Sequence, residues 1–161
     1  MTTITSEKDL DSLTMTMSAT FNAGVPRVWQ IWEDPRQLER WWGPPEWPAT
    51  FVKHALEPGA MSHYYMTGPD GEKAHGWWRI TSVDAPQGLK LDDGFADDEG
   101  NPTGDLGESH MTLTLEAEGE QTRMTLRTTF ESAEQLEQML QMGMEEGMKL
   151  AMGQIDAILA E

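Results

Sequence analysis

The stretch from Ser132 to Leu159 limits the chain most, because an apolar face that long has to be laid against something. Leu136, Met139, Leu140, Met144, Met148, Ala151, Met152, Ile155 and Leu159 recur at three- and four-residue steps, the period of one side of a helix. Ser132 with Gln135 three residues on forms a capping box, and Glu134 and Glu137 suit the positive end of the helix dipole. The spacing predicts one long helix over 132–159 that covers a sheet. Two features are odd for a plain core helix: methionines at 139, 142, 144, 148 and 152, and glycines at 143, 147 and 153. Each such glycine costs about 1 kcal/mol relative to alanine. Close helix-on-sheet contact with methionine filling gaps is one explanation. A cavity is the other: Gly143 and Gly147 lie one turn apart and leave a bare strip, beside which flexible methionines re-pack around ligands of different shape. Glu145, Glu146 and Lys149 interrupt the run and exclude membrane helix pairing through Gly-x-x-x-Gly.

The remaining segments read as the surface beneath. Residues 1–12 are polar and predict a frayed tail, with a single domain over 13–161. Leu13, Met15, Met17, Ala19 and Phe21 alternate with Thr and Ser, the pattern of a strand with one wet side. Pro26 and Asp34-Pro35 start two short helices, which hold Trp29, Trp32, Trp41 and Trp42. Trp41 and Trp42 are adjacent and must point apart, so one can serve the core while the other rims an opening. In the strand over 49–57, Val52, His54 and Leu56 are expected inward, which spares Lys53 from burial. Gly68-Pro69-Asp70-Gly71 closes a hairpin whose register puts Tyr64 opposite Gly76 and Ser62 opposite Trp78, each large ring against a small partner. His63, Tyr65, His75 and Trp77 then share the outer face, a patch that suggests a homodimer or other partner surface. Residues 92–108 are acidic, glycine-rich and without period, and predict a mobile loop. Two alternating segments around Met111 and Met124 make a last hairpin. The result is an α+β chain: about seven antiparallel strands in a curved sheet, two short helices after the first strand, and a long C-terminal helix across the sheet.

Composition removes several function classes. There is no cysteine, so disulfides and thiolate chemistry are absent. The formal charge of −17 opposes binding to nucleic acid or to anionic membrane surfaces. The opening MTTITSEKDLDSL has no apolar run, so the expectation is a cytoplasmic protein without signal peptide or anchor. No Gly-x-Ser-x-Gly, phosphate loop, His-x-His or His-Glu-x-x-His occurs. The Asp-x-Asp spacings within 92–108 lack the closing glutamate of a calcium loop. Neither metal nor cofactor is expected. What remains is binding of a small apolar or aromatic molecule, with Trp42, His54, Tyr64, Trp78, Met111, Met139, Gly143, Met144, Gly147 and Met148 as the lining. Two alternatives stand beside it. One is an interaction module using His63, Tyr65, His75 and Trp77. The other is a cyclase or hydratase moving protons through His54, Tyr64 or a buried Glu146.

Val25-Pro26 with Val28-Trp29, Asp34-Pro35, Trp41-Trp42-Gly43-Pro44, Leu56 with Pro58-Gly59, Gly68-Pro69-Asp70-Gly71, Asp84 with Pro86, and Glu146-Gly147-Met148 occur in that order. The series resembles the activator of heat-shock protein 90 ATPase homologue-like family, within the START and birch-pollen-allergen-like (SRPBCC) helix-grip superfamily. The resemblance spans residues 13–160 and implies the helix-grip fold. Ala60 stands where members often have a second glycine, Ser62 where they have an aromatic, and Met148 where tryptophan is usual. Smaller or softer groups on facing inner surfaces imply a larger or reshaped cavity. Chaperone engagement is not expected, since the eukaryotic activators need a further N-terminal domain for which this chain is too short.

Overall fold

The computed structural model describes residues 2–105 and 107–161. Its first element is one that hydrophobic pattern misses. Ile4–Asp9 forms β1, paired antiparallel with β2 (Thr14–Phe21) from Ile4 opposite Ala19 to Asp9 opposite Thr14. The frayed tail expected over 1–12 is thus corrected to an edge strand. Side chains tie it to the C-terminal helices: Lys8 Nζ lies 2.9 Å from Glu145 Oε1, Ser6 donates to Glu145, and Thr2 Oγ1 donates to Asp156 Oδ1 at 2.6 Å. A strand held by its backbone and by polar groups shows no apolar alternation. β2 does show it, with Met15, Met17, Ala19 and Phe21 buried.

α1 (Val25–Glu33) and α2 (Pro35–Leu38) follow, the second capped by Asp34, which accepts from Arg36 N at 2.9 Å. They plug one end of the core. Trp32 and Trp41 are wholly buried and meet edge to face at 4.9 Å, and Trp41 Nε1 donates to the Ile31 carbonyl at 3.0 Å. Trp42 turns the other way, edge-on to Trp78 at 4.8 Å.

β3 (Ala49–Lys53), β4 (Met61–Thr67), β5 (Lys73–Asp84), β6 (Gly88–Phe95), β7 (Ser109–Glu118) and β8 (Gln121–Thr129) complete an antiparallel sheet of eight strands, in the order β1-β2-β8-β7-β6-β5-β4-β3. In the β4–β5 hairpin Tyr64 faces Gly76 and Ser62 faces Trp78, the register the ring sizes call for. A Cβ on residue 76 would fall 2.4 Å from the Tyr64 ring, so only glycine leaves the ring room. β3 differs from expectation. A bulge between Phe51 and Lys53 shifts the register, so Ala49 and Phe51 are buried and Val52 is 58% exposed. The extra residue re-aims everything after it, which strict alternation cannot anticipate.

The C-terminal segment crosses the sheet as three helices rather than one: α3 (Ala133–Gln141), α4 (Met144–Met152) and α5 (Ile155–Leu159). Ser132 caps α3, its Oγ accepting from Gln135 N at 3.0 Å. Gly143 ends it with φ +85°, a left-handed conformation that stops a helix and favours glycine. Burial along the three pieces is uneven. Leu136, Met152, Ile155 and Ile158 are sealed, whereas Met139, Met144 and Met148 between them are only partly buried. Among the described residues no helix is long and apolar enough to cross a membrane.

The acidic segment expected to be a mobile loop instead extends β6 to Phe95 and then folds over the outer face of β4 and β5. Ala96 bridges to Pro102, and Asp97 Oδ1 accepts from Glu99 N at 2.9 Å and Asn101 N at 3.0 Å. Glycines allow the close approach: a Cβ on Gly94 would lie 2.7 Å from the Trp77 indole, and one on Gly100 2.6 Å from the His63 ring.

Candidate functional site

Where the roof methionines lift from the sheet, the space beneath is a cavity of about 290 Å³. Its floor comes from alternate residues of neighbouring strands: Tyr64 and Met66 of β4, Gly76 of β5, Asp93 of β6, Ser109 and Met111 of β7, and Thr128 of β8. Met139 of α3, then Met142 and Gly143, then Met144, Gly147 and Met148 of α4 form the roof, and Trp42, Phe95 and Phe130 close the sides. The walls are thioether and aromatic carbon with few polar groups, the composition of a site for apolar molecules.

Eight of the expected lining residues, Trp42, Tyr64, Met111, Met139, Gly143, Met144, Gly147 and Met148, border this one cavity. His54 and Trp78 do not. Trp78 is wholly buried below it, against Trp42 and Phe51. His54 is a fastening: one ring nitrogen, Nε2, donates to the Trp32 carbonyl at 2.8 Å, and Nδ1 accepts from the Ser62 hydroxyl at 2.8 Å. The carbonyl can only accept, which fixes that tautomer. Burial lowers the His54 pKa below its ordinary value and keeps the ring neutral. Both nitrogens are committed, which gives His54 a structural place and weighs against the proton-transfer role that the cyclase or hydratase alternative offered it. Glu146, which the cyclase or hydratase alternative needs buried, is exposed.

The outer patch is corrected as well. Trp77 is 1% and His63 6% exposed, because Gly100 in the segment after Phe95 lies against the His63 ring, while Gly94 of β6 and Arg79, 5.1 Å from the ring, lie against Trp77. Tyr65 and His75 keep partial exposure. His75 Nδ1 lies 2.9 Å from His63 Nε2, and the residue also borders the cavity.

Asp93 is the residue that sequence reading missed. Taken with its neighbours as part of an acidic loop, it instead continues the inward face of Leu89 and Leu91 by simple alternation, which is the signal that would have found it. Tyr64 Oη donates to Asp93 Oδ1 at 3.0 Å. Burial pushes the Asp93 carboxyl up to about 7, against hydrogen bonds from Tyr64 and the Gly94 N–H that favour its charged form. Burial, and then the negative charge of Asp93, hold the Tyr64 hydroxyl well above its usual range. The indole N–H groups of Trp42 and Trp78 are aimed at the Tyr64 oxygen without reaching hydrogen-bonding geometry. The pair therefore offers an ionisable carboxyl beside a fixed hydroxyl donor in an otherwise apolar hollow. Among the described residues no group of three or more His, Asp or Glu is placed to hold a metal ion.

Solved structures share this architecture. A protein of Arthrobacter aurescens, determined in solution by NMR, is 56% identical, with a TM-score of 0.93 over 97% of this chain and 91% of that one. A crystal structure from Mycobacterium smegmatis is 51% identical, with a TM-score of 0.90 over 98% of this chain and 97% of that one. A Staphylococcus epidermidis protein at 24% identity and a TM-score of 0.84, covering 97% of this chain and 93% of that one, shows the fold alone. No curated protein matches. The family model described as activator of Hsp90 ATPase homolog 1-like protein matches residues 22–160, and the chain belongs to that family.

Proposed function

We propose that the protein binds a small apolar or aromatic molecule between the C-terminal helices and the sheet. One observation carries this reading: the roof methionines are less buried than the residues on either side of them, over a hollow of about 290 Å³ with a single carboxyl–hydroxyl pair in its floor. A solid core has no use for such an arrangement, since unfilled volume and a desolvated carboxyl both cost stability. The interaction-module reading loses its central residue with Trp77 under cover.

Gly147 supplies the test. It lines the cavity, and an added Cβ there meets nothing within 4 Å. Gly147→Leu should fill the hollow and reduce uptake of an apolar fluorescent dye about tenfold or more, with oligomeric mass unchanged. Native mass spectrometry of freshly purified protein should show a co-purified small molecule that this variant lacks. Dye uptake equal in both proteins would remove the cavity reading.

A second reading, proton transfer on a bound substrate, is favoured by Asp93 titrating at about 7 beside Tyr64, since a general acid or base works best near ambient pH. It requires turnover of some substrate that Asp93→Asn abolishes and His54→Ala spares.

A further inference from the structure

We propose that the occupant of the cavity is an apolar amine, a hydrophobic body with one protonated nitrogen seated against the Asp93 carboxylate. This rests on the reading above that the cavity holds a ligand, and names the ligand's chemical class. Asp93 lies opposite Trp78 on one side and Ser109 on the other, in the middle of the sheet. Its partners are the Tyr64 hydroxyl at 3.0 Å and the Gly94 N–H. Among the described residues no lysine, arginine or histidine forms an ion pair with it; the neighbouring Arg79 is spent on Asp92 at 2.7 Å and Glu108 at 3.1 Å.

The titratable groups bordering the cavity are Asp93, Tyr64 and His75. The roof, β7 and β8 contribute none. A carboxylate so placed has lost most of its water and received no counter-charge in exchange. An ammonium supplies both a charge and strong donors, and the rings of Trp42, Tyr64 and Phe95 line the same cavity, a surrounding in which aromatic rings favour cations. A ligand carboxylate would meet repulsion, and a neutral ligand would leave Asp93 uncompensated. The chain's formal charge of −17 also raises the local concentration of cations over anions.

The test is calorimetric titration with phenylbutylamine, phenylbutanol and phenylbutyrate, three probes of one shape and different charge. At pH 8, with Asp93 ionised, the amine should bind about tenfold or more tightly than the alcohol, and the acid weakest. Asp93→Asn should bring the amine and alcohol within about threefold of each other. Lowering the pH to 5.5 should shrink the amine's advantage, because the carboxyl then holds a proton. Should the variant fail to fold, the amine-to-alcohol ratio in the native protein and its pH dependence decide. Alcohol binding as tightly as amine, or acid tightest of the three, overturns the amine assignment and leaves the cavity reading standing. Binding of none of the three overturns the amine assignment, and the cavity reading falls with it if the apolar dye is also excluded.

Discussion

Asp93 faces methionine and aromatic carbon, and burial there lifts its pKa to about 7. The native state therefore holds this proton more tightly than the unfolded chain does. Stability associated with the group is fully present below pH 4 and is lost as pH rises toward 7, after which the loss is constant. Asp93→Asn removes that loss, so its stability relative to the native protein should increase between pH 4 and pH 8. The gain is on the order of 4 kcal/mol at most, at about 1.4 kcal/mol per pKa unit, and urea unfolding at the two pH values measures it. His54 works in the opposite sense. Its folded pKa is lowered, so its contribution is intact above about pH 6.5 and falls as the unfolded chain takes up protons below that. His54→Ala should cost about 1–3 kcal/mol by stranding the Trp32 carbonyl and the Ser62 hydroxyl, while dye uptake stays unchanged. These two residues mark the limit of what could be read from the chain. His54 stood out because histidine is rare here, and Asp93 was hidden because six other acids share its segment, residues 92–108. Chemistry followed depth in the fold, which only alternation with Leu89 and Leu91 foreshadows.

The three C-terminal helices show how two glycines with the same apparent role differ. Gly143 and Gly147 both line the cavity, yet Gly143 has φ +85° and Gly147 lies within α4. Gly143→Ala forces a side chain into the left-handed region and should cost about 1–2 kcal/mol. Gly147→Ala, with open space around its new methyl, should gain about 0.5–1 kcal/mol. Chemical unfolding of the two variants compares them directly, and loss of stability in both would mean that α4 cannot accept a side chain at 147. Sequence spacing could not separate the pair, because the apolar stripe runs on through the break. The β4–β5 hairpin was legible for the converse reason: Tyr64 fits only over Gly76, and Trp78 sits best over Ser62. At β3 the charge of Lys53 was a sound guide to His54 and Leu56, which do turn inward, but the bulge reverses the face before it, so Phe51 rather than Val52 is buried.

For the molecule as a whole, the helices cover one face of the sheet and the segment beyond Phe95 covers part of the other. Its acidity opposes compaction through self-repulsion, so added salt should raise the melting temperature. A rise of a few degrees between low salt and 0.2 M sodium chloride is the expected size, and a flat response would mean that the acids are already paired. The order of proline, tryptophan and glycine signals along the chain was enough to place the family, whereas β1 carried no such signal. The roof has one more consequence. With no cysteine in the chain, methionine is its oxidisable sulfur, and among the described residues Met142, 61% exposed at the cavity mouth, stands first in line. Its conversion to the sulfoxide would put a polar dipole where an apolar guest enters, so mild peroxide should weaken binding and a sulfoxide reductase should restore it.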